Sequence, residues 1–168
     1  MKGILVLWLA AAVAGTALAP TASSQVVKEF SLDDASAIGL KIQTDTAVKS
    51  GSPASVRIET LWPVTVCLAQ VDGLDVETAA LVYQGRVKTD IVGAAYLELW
   101  VEVGGQEYFS RGMDNAIEGS SDWKTLQTPF FLQKGQKAQK ATLNIVINGH
   151  GTVWVDSLVL LKRAPGGK

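Results

Sequence analysis

One cysteine and one histidine are all that the 168 residues offer of those types. A single thiol cannot close an intramolecular disulfide, and Cys67 with His150 is too small a set for a Cys/His zinc site. A catalytic thiolate wants a nearby histidine, and one histidine in the whole chain gives that little support. Cys67, in "PVTVCLAQ", is therefore expected to be a small buried hydrophobe. No glycine-rich loop opens onto a helix, so a phosphate cradle is unsupported. Fifteen basic and 16 acidic residues leave a formal charge of −1 without a long run of either sign, which argues against nucleic acid or an anionic membrane surface as a partner.

Long hydrophobic runs are also few. The opening "MKGILVLWLAAAVAGTALAPTASSQ" has one lysine, an apolar run from Ile4 to about Ala14, and then small residues, the layout of a secretory signal peptide. About a dozen apolar residues fall short of the roughly twenty that span a bilayer. The expectation is a cleaved leader over residues 1–24, an exported chain in the periplasm or outside the cell, and no integral membrane segment in the mature part. Residues 25–162 are then expected to form one domain, of a size that supports its own core without disulfides, with 163–168 a frayed tail.

Beyond the leader the chain breaks into short runs of Val, Ile, Leu, Thr and aromatics, divided by Gly, Asp, Asn and Ser. This rhythm predicts strands over 26–32, 39–44, 55–61, 64–70, 80–89, 95–103, 107–111, 123–132, 140–148 and 152–161. An all-β, two-sheet antiparallel sandwich is the expected fold. "INGHGTVW" reads as a tight hairpin turn around Gly149 and His150. Successive strand side chains point to opposite faces, so "YLELWVEV" hides Leu97, Leu99, Val101 and Val103 and exposes Tyr96, Glu98, Trp100 and Glu102. Three more strands divide the same way: Val56 and Ile58 in, Arg57 and Glu59 out; Leu81, Tyr83 and Val87 in, Gln84, Arg86 and Lys88 out; Leu143, Ile145 and Ile147 in, Asn144, Val146 and Asn148 out.

Outward charges such as Arg57, Glu59, Arg86 and Glu98 suit solvated cross-strand ion pairs. A tryptophan among carboxylates does not belong on a bare wet face. Trp100 and Tyr96 call for a cover, either a loop or a ligand. Rings beside a few hydrogen-bonding groups are the usual lining of a binding site. Trp62 and Trp154 are expected to plug the core, and the adjacent Phe130 and Phe131 to face opposite ways.

"SDWKTLQTPFFL" (121–132) and "KATLNIVINGHGTVWVDSLVLLK" (140–162) resemble the last strands of carbohydrate-binding modules with the galactose-binding-like jelly-roll fold. The chain also looks like a group of exported bacterial proteins that share a "YLE-x-W … EYFSRG … DW-x-TL-x-TPFFL … NGxGTVW" signature. The resemblance implies a saccharide laid across a concave sheet. Trp100 and Tyr96 would be platforms; Arg57, Glu59, Gln84, Arg86, Glu98, Asn144 and Asn148 would meet hydroxyls, and Tyr108 and Arg111 would wall one end. The ligand implied is a polysaccharide or oligosaccharide, and a protein partner on the same face is the alternative. In that family the last strand often ends in two aspartates, one of which can help hold a structural calcium. Here the second is Ser157, which leaves Asp156 as the metal candidate; Asp33 and Asp34 could contribute from the first strand, though turn chemistry is their expected role.

An enzyme is not expected. Glycoside hydrolysis needs two carboxyl groups about 5–5.5 Å or 6.5–9.5 Å apart, whereas Glu98 and Glu102 lie roughly 13 Å apart along one strand. Glu59 and Glu98, on different strands, stay open as a closer pair.

Overall fold

The computed structural model describes residues 25–30 and 42–164. The expected leader, Asp33, Asp34 and residues 165–168 lie outside the described residues. Nine strands are described: β1 (Gln25–Phe30), β2 (Ile42–Asp45), β3 (Ser55–Thr60), β4 (Val64–Glu77), β5 (Ala80–Val103), β6 (Gln106–Arg111), β7 (Ile117–Glu118), β8 (Ser121–Phe131) and β9 (Lys137–Arg163). A 3-10 turn over Met113–Asn115 precedes β7.

β5 and β9 are the spine. They pair antiparallel from Ala80↔Arg163 to Val103↔Ala138, yet neither can be straight. Gly85 lies against Leu97, since a Cβ placed on the glycine would stand 3.9 Å from a Leu97 methyl. Twelve residues of straight strand span roughly 40 Å, so β5 folds back on itself and gives its two halves to two layers. The front layer runs β4–β9–β5–β6, with Val64–Glu77 against the first half of β9 and Gln106–Arg111 against the second half of β5. The back layer holds the other halves, flanked by β8 on one side and by β3 and β1 on the other, with β2 outside β3. The result is an all-β antiparallel sandwich.

The corner falls where Gly93 pairs with Gly149 and Ile91 with Gly151. No hairpin turn forms at Asn148–Gly151; β9 runs through it still paired to β5. The three glycines explain the difference. A Cβ on Gly93, Gly149 or Gly151 would run into the facing carbonyl of Asn148, Val92 or Asp90 respectively, and all three residues have φ between +123° and +156°. Strand pairing crosses the corner because no side chain is there to separate the backbones. The two strands expected over 80–89 and 95–103 are thus one hydrogen-bonded element, as are those over 140–148 and 152–161.

Core assignment follows the two-residue period. Leu81, Tyr83, Val87, Leu97, Leu99, Val101, Leu143, Ile145 and Ile147 are fully buried in one cluster that draws on both layers. Phe130 packs against that cluster and Phe131 is exposed, the opposed pair that adjacency requires. Three expectations fail. Cys67 is exposed, because it pairs with Asn144 and so shares the outward row. Trp154 stands between the inward Val153 and Val155 and lies on the back layer's outer face. Trp62 is exposed in the short link from β3 to β4.

Candidate functional site

Cross-strand partners share a face, so register reads out the front layer's outer surface row by row. One row is Cys67, Asn144, Glu98 and Arg111; the next is Gln70, Thr142, Trp100 and Phe109; a third is Asp72, Lys140, Glu102 and Glu107. Thr65, Val146 and Tyr96 form the row on the other side.

Glu98 is the centre of this face. Although it points outward, only 4% of it is exposed. Its Oε1 accepts the indole N–H of Trp100 at 2.6 Å and the amide of Asn144 at 3.3 Å, while Oε2 accepts Arg111 Nε–H at 2.6 Å. Burial works to raise the Glu98 carboxyl, but the donors from Arg111, Trp100 and Asn144 together outweigh it and hold the group below its usual range. The carboxylate stays charged and fixes three side chains from three strands. Trp100 in turn leans on Phe109, ring centroids 5.1 Å apart and planes tilted by 39°. The Arg111 guanidinium lies 4.7 Å above the Phe109 ring, within cation–π range. The outcome is a half-open aromatic platform, locked from below by an ion pair and bordered by Asn144, Gln70 and Thr142.

The structure brings Tyr96, Glu98, Trp100, Asn144 and Arg111 onto this one surface. Asn148 is exposed farther along β9, opposite Ala94 at the corner. Tyr108 pairs with the inward Val101 and so does not share the face; its neighbour Phe109 does. Arg57, Glu59, Gln84 and Arg86 sit on the back layer's outer face instead. Alternation tells in from out, but once β5 has turned the corner, "out" means opposite sides of the molecule. Glu59 and Glu98 therefore face away from one another and cannot share a substrate.

On the back layer, Arg57 pairs with Glu59 and lies 5.8 Å from the centre of the Trp154 ring. The indole N–H of Trp154 donates to Asp45 at 2.9 Å, and Lys88 pairs with Asp122 at 2.9 Å. Asp156 is fully buried. It accepts the Ser50 backbone N–H at 2.6 Å and the Ser157 hydroxyl at 3.0 Å. Burial pushes its carboxyl up, and the Ser52, Ser50 and Ser157 donors pull it further down, leaving it below the usual range. Among the described residues no cluster of three or more His, Cys, Asp and Glu is placed to hold a metal. Asp156 is surrounded by donors rather than by the six to eight oxygens that calcium takes.

Sequence reasoning missed a cleft of about 640 Å³ where β3 passes to β4. Ile58, Val64 and Val66 form part of its wall, with Trp62, His150 and Thr152 beside them. The available signal was "LWPV": a proline cannot donate to a ladder, so Trp62 just before it falls in a link rather than in a paired strand.

No protein-family model matches the chain, nor does any curated protein. Solved structures do. A family 16 carbohydrate binding module-2 aligns with a TM-score of 0.53 and 8% identity, over 73% of this chain and 86% of that one. The CBM22-1–GH10 modules of Clostridium thermocellum xylanase 10B, complexed with xylohexaose, align at 0.52 and 13% identity, over 83% of this chain and 25% of that one. The enzymatically active domain of bacteriophage CBA120 tailspike protein 4 aligns at 0.52 and 8% identity, over 83% and 19%. The chain shares the β-sandwich fold of these structures. It spans most of the first structure but a quarter or less of the other two, and at these identities the likeness establishes the fold. No helix among the described residues is long and apolar enough to cross a membrane.

Proposed function

We propose that this chain is an exported, non-catalytic saccharide-binding module whose ligand lies on the outer face of the front layer. The observation that carries the reading is the locked platform: Glu98 is buried on an outward face and spends both oxygens on orienting Trp100, Arg111 and Asn144. A sugar ring presents a C–H face that stacks on an aromatic ring and hydroxyls that need partners once dehydrated. Trp100 and Phe109 supply the ring surface, and Asn144, Gln70 and Thr142 supply donors and acceptors in the same and the adjoining row. Because the platform is already held in place, little side-chain entropy is lost on binding.

The same lock argues against catalysis at Glu98. A carboxylate held charged by three donors is a poor general acid. Asp72, Glu102 and Glu107 against Lys140 and Arg111 leave the face short of positive charge, so neutral glycans are favoured over uronates or sulfated chains. Export, to the periplasm or beyond the cell, rests on the apolar run from Ile4 to about Ala14.

The test is calorimetric titration with a soluble panel of neutral glycans, starting with the xylohexaose found in one structural neighbour, beside an acidic set. Saturable binding to a neutral glycan that is lost in both Trp100→Ala and Phe109→Ala, with each variant still folded by circular dichroism, is the expected result. Binding that persists in both variants, or no binding across the panel, overturns the site.

A further inference from the structure

The cleft at the β3–β4 link is a second site with different chemistry. It opens between the layers at the edge where Ile58 of the back layer and Val64 and Val66 of the front layer come together. Ile58 and Val66 are core residues and almost fully buried, so the apolar surface that the cleft offers comes from Leu61, Trp62 and the partly buried Val64. Trp62 stands at its margin 67% exposed. It lies in a link whose conformation is set locally: the Thr60 hydroxyl bonds the Trp62 carbonyl at 2.5 Å and accepts the Trp62 N–H at 3.3 Å. A tryptophan fixed at its backbone and left bare beside an open apolar hollow resembles half of a stacking site. Polar groups occupy the same rim. Glu59, already paired with Arg57, brings a carboxylate, and His150 and Thr152 bring an imidazole and a hydroxyl.

About 640 Å³ falls within the roughly 300–1,000 Å³ of small-molecule sites, which are mainly apolar with a few placed polar groups. A purely apolar occupant would strip water from Glu59, His150 and Thr152 without replacing it. A bare polyol would leave Leu61, Trp62 and Val64 facing hydroxyls. We infer that this cleft binds a small amphiphile of the aryl glycoside class, an aromatic ring beside Trp62 over the apolar wall and a hydroxylated head at the rim. The site lies away from the Trp100 platform and is independent of it.

The probes are phenyl β-D-glucopyranoside and methyl β-D-glucopyranoside, which differ in the aromatic group, followed by 1H–15N correlation spectra of the protein. Saturable shifts of the Trp62 indole, His150 and Thr152 signals are expected with the phenyl probe. The methyl probe should bind about tenfold more weakly, the worth of one good aromatic contact. Trp62 is exposed, so Trp62→Ala spares the core; it should abolish the response, His150→Ala should weaken it, and Trp100→Ala should leave it intact. Equal responses to the two probes, shifts centred on Trp100, or no saturable shift at all overturns the inference.

Discussion

Removing the Glu98 side chain is the sharpest test of the front face. Glu98→Ala leaves Trp100 Nε1, Asn144 Nδ2 and Arg111 Nε without their acceptor. A hydrogen bond to a charged group contributes about 1.5–3 kcal/mol, and losing one partner of a fully buried ion pair costs about 3–5 kcal/mol. Water can replace part of the loss here, because Arg111 is 45% exposed at its side chain while Glu98 is 5% exposed. The expected cost is therefore about 2–3 kcal/mol, between a surface pair and a fully buried one. Urea unfolding followed by tryptophan fluorescence measures it, and glycan affinity should fall as Trp100 loses its tether. The acid limb supplies a second readout. The folded Glu98 carboxyl lies below its ordinary 4.5, so its contribution is complete above that value and fades as pH falls through the depressed folded one. Glu98→Gln should accordingly flatten the loss of stability below about pH 4.5. A Glu98→Ala variant within about 0.5 kcal/mol of the parent, the ordinary range for surface substitutions, with unchanged acid behaviour, would refute the reasoning.

Three further outcomes are expected. Gly149→Ala should destabilise the fold by about 3 kcal/mol, because the new methyl strikes the Val92 carbonyl at the corner and the residue's φ is +156°; a melting temperature equal to the parent's would rule that out. Tyr83→Phe should be neutral or stabilising by up to about 1 kcal/mol, since among the described residues the buried Tyr83 hydroxyl has no hydrogen-bond partner; a clear loss in urea unfolding would reveal a partner for it. Cys67 should label stoichiometrically with a maleimide in the native state because it is exposed, yet react more slowly than a free thiol, since partial burial pushes its thiol up. Labelling only after unfolding would contradict the outward placement.

Much of the strand layout was legible because the two-residue period is local. The inward sets Leu97–Leu99–Val101 and Leu143–Ile145–Ile147 are fully buried as that period requires. Cys67 misled for the converse reason: an apolar setting in sequence, "TVCLA", says nothing about which parity the strand adopts, and its pairing with Asn144 turned it outward. Arg57, Glu59, Gln84 and Arg86 were rightly read as outward and wrongly joined to Trp100. Phe109 was passed over in favour of Tyr108, because only the Trp100↔Phe109 register decides which of two adjacent aromatics reaches the platform. Trp62 and its cleft were hidden because the hollow is made by two strands that are neighbours in sequence but lie in different layers.

By itself the sequence determined the β class, the inward rows around Val56, Leu81, Leu97 and Leu143 and the outward display of Trp100 and Glu98, since sterics and hydrophobicity act there between residues one or two apart. Which outward residues keep company was settled only in three dimensions. Gly93, Gly149 and Gly151 let two backbones cross the corner without side chains between them, and that corner sends one end of β5 to the front of the molecule and the other to the back. No local pattern records on which side of such a turn a residue will stand, because the layers are assembled by contacts between strands distant in sequence.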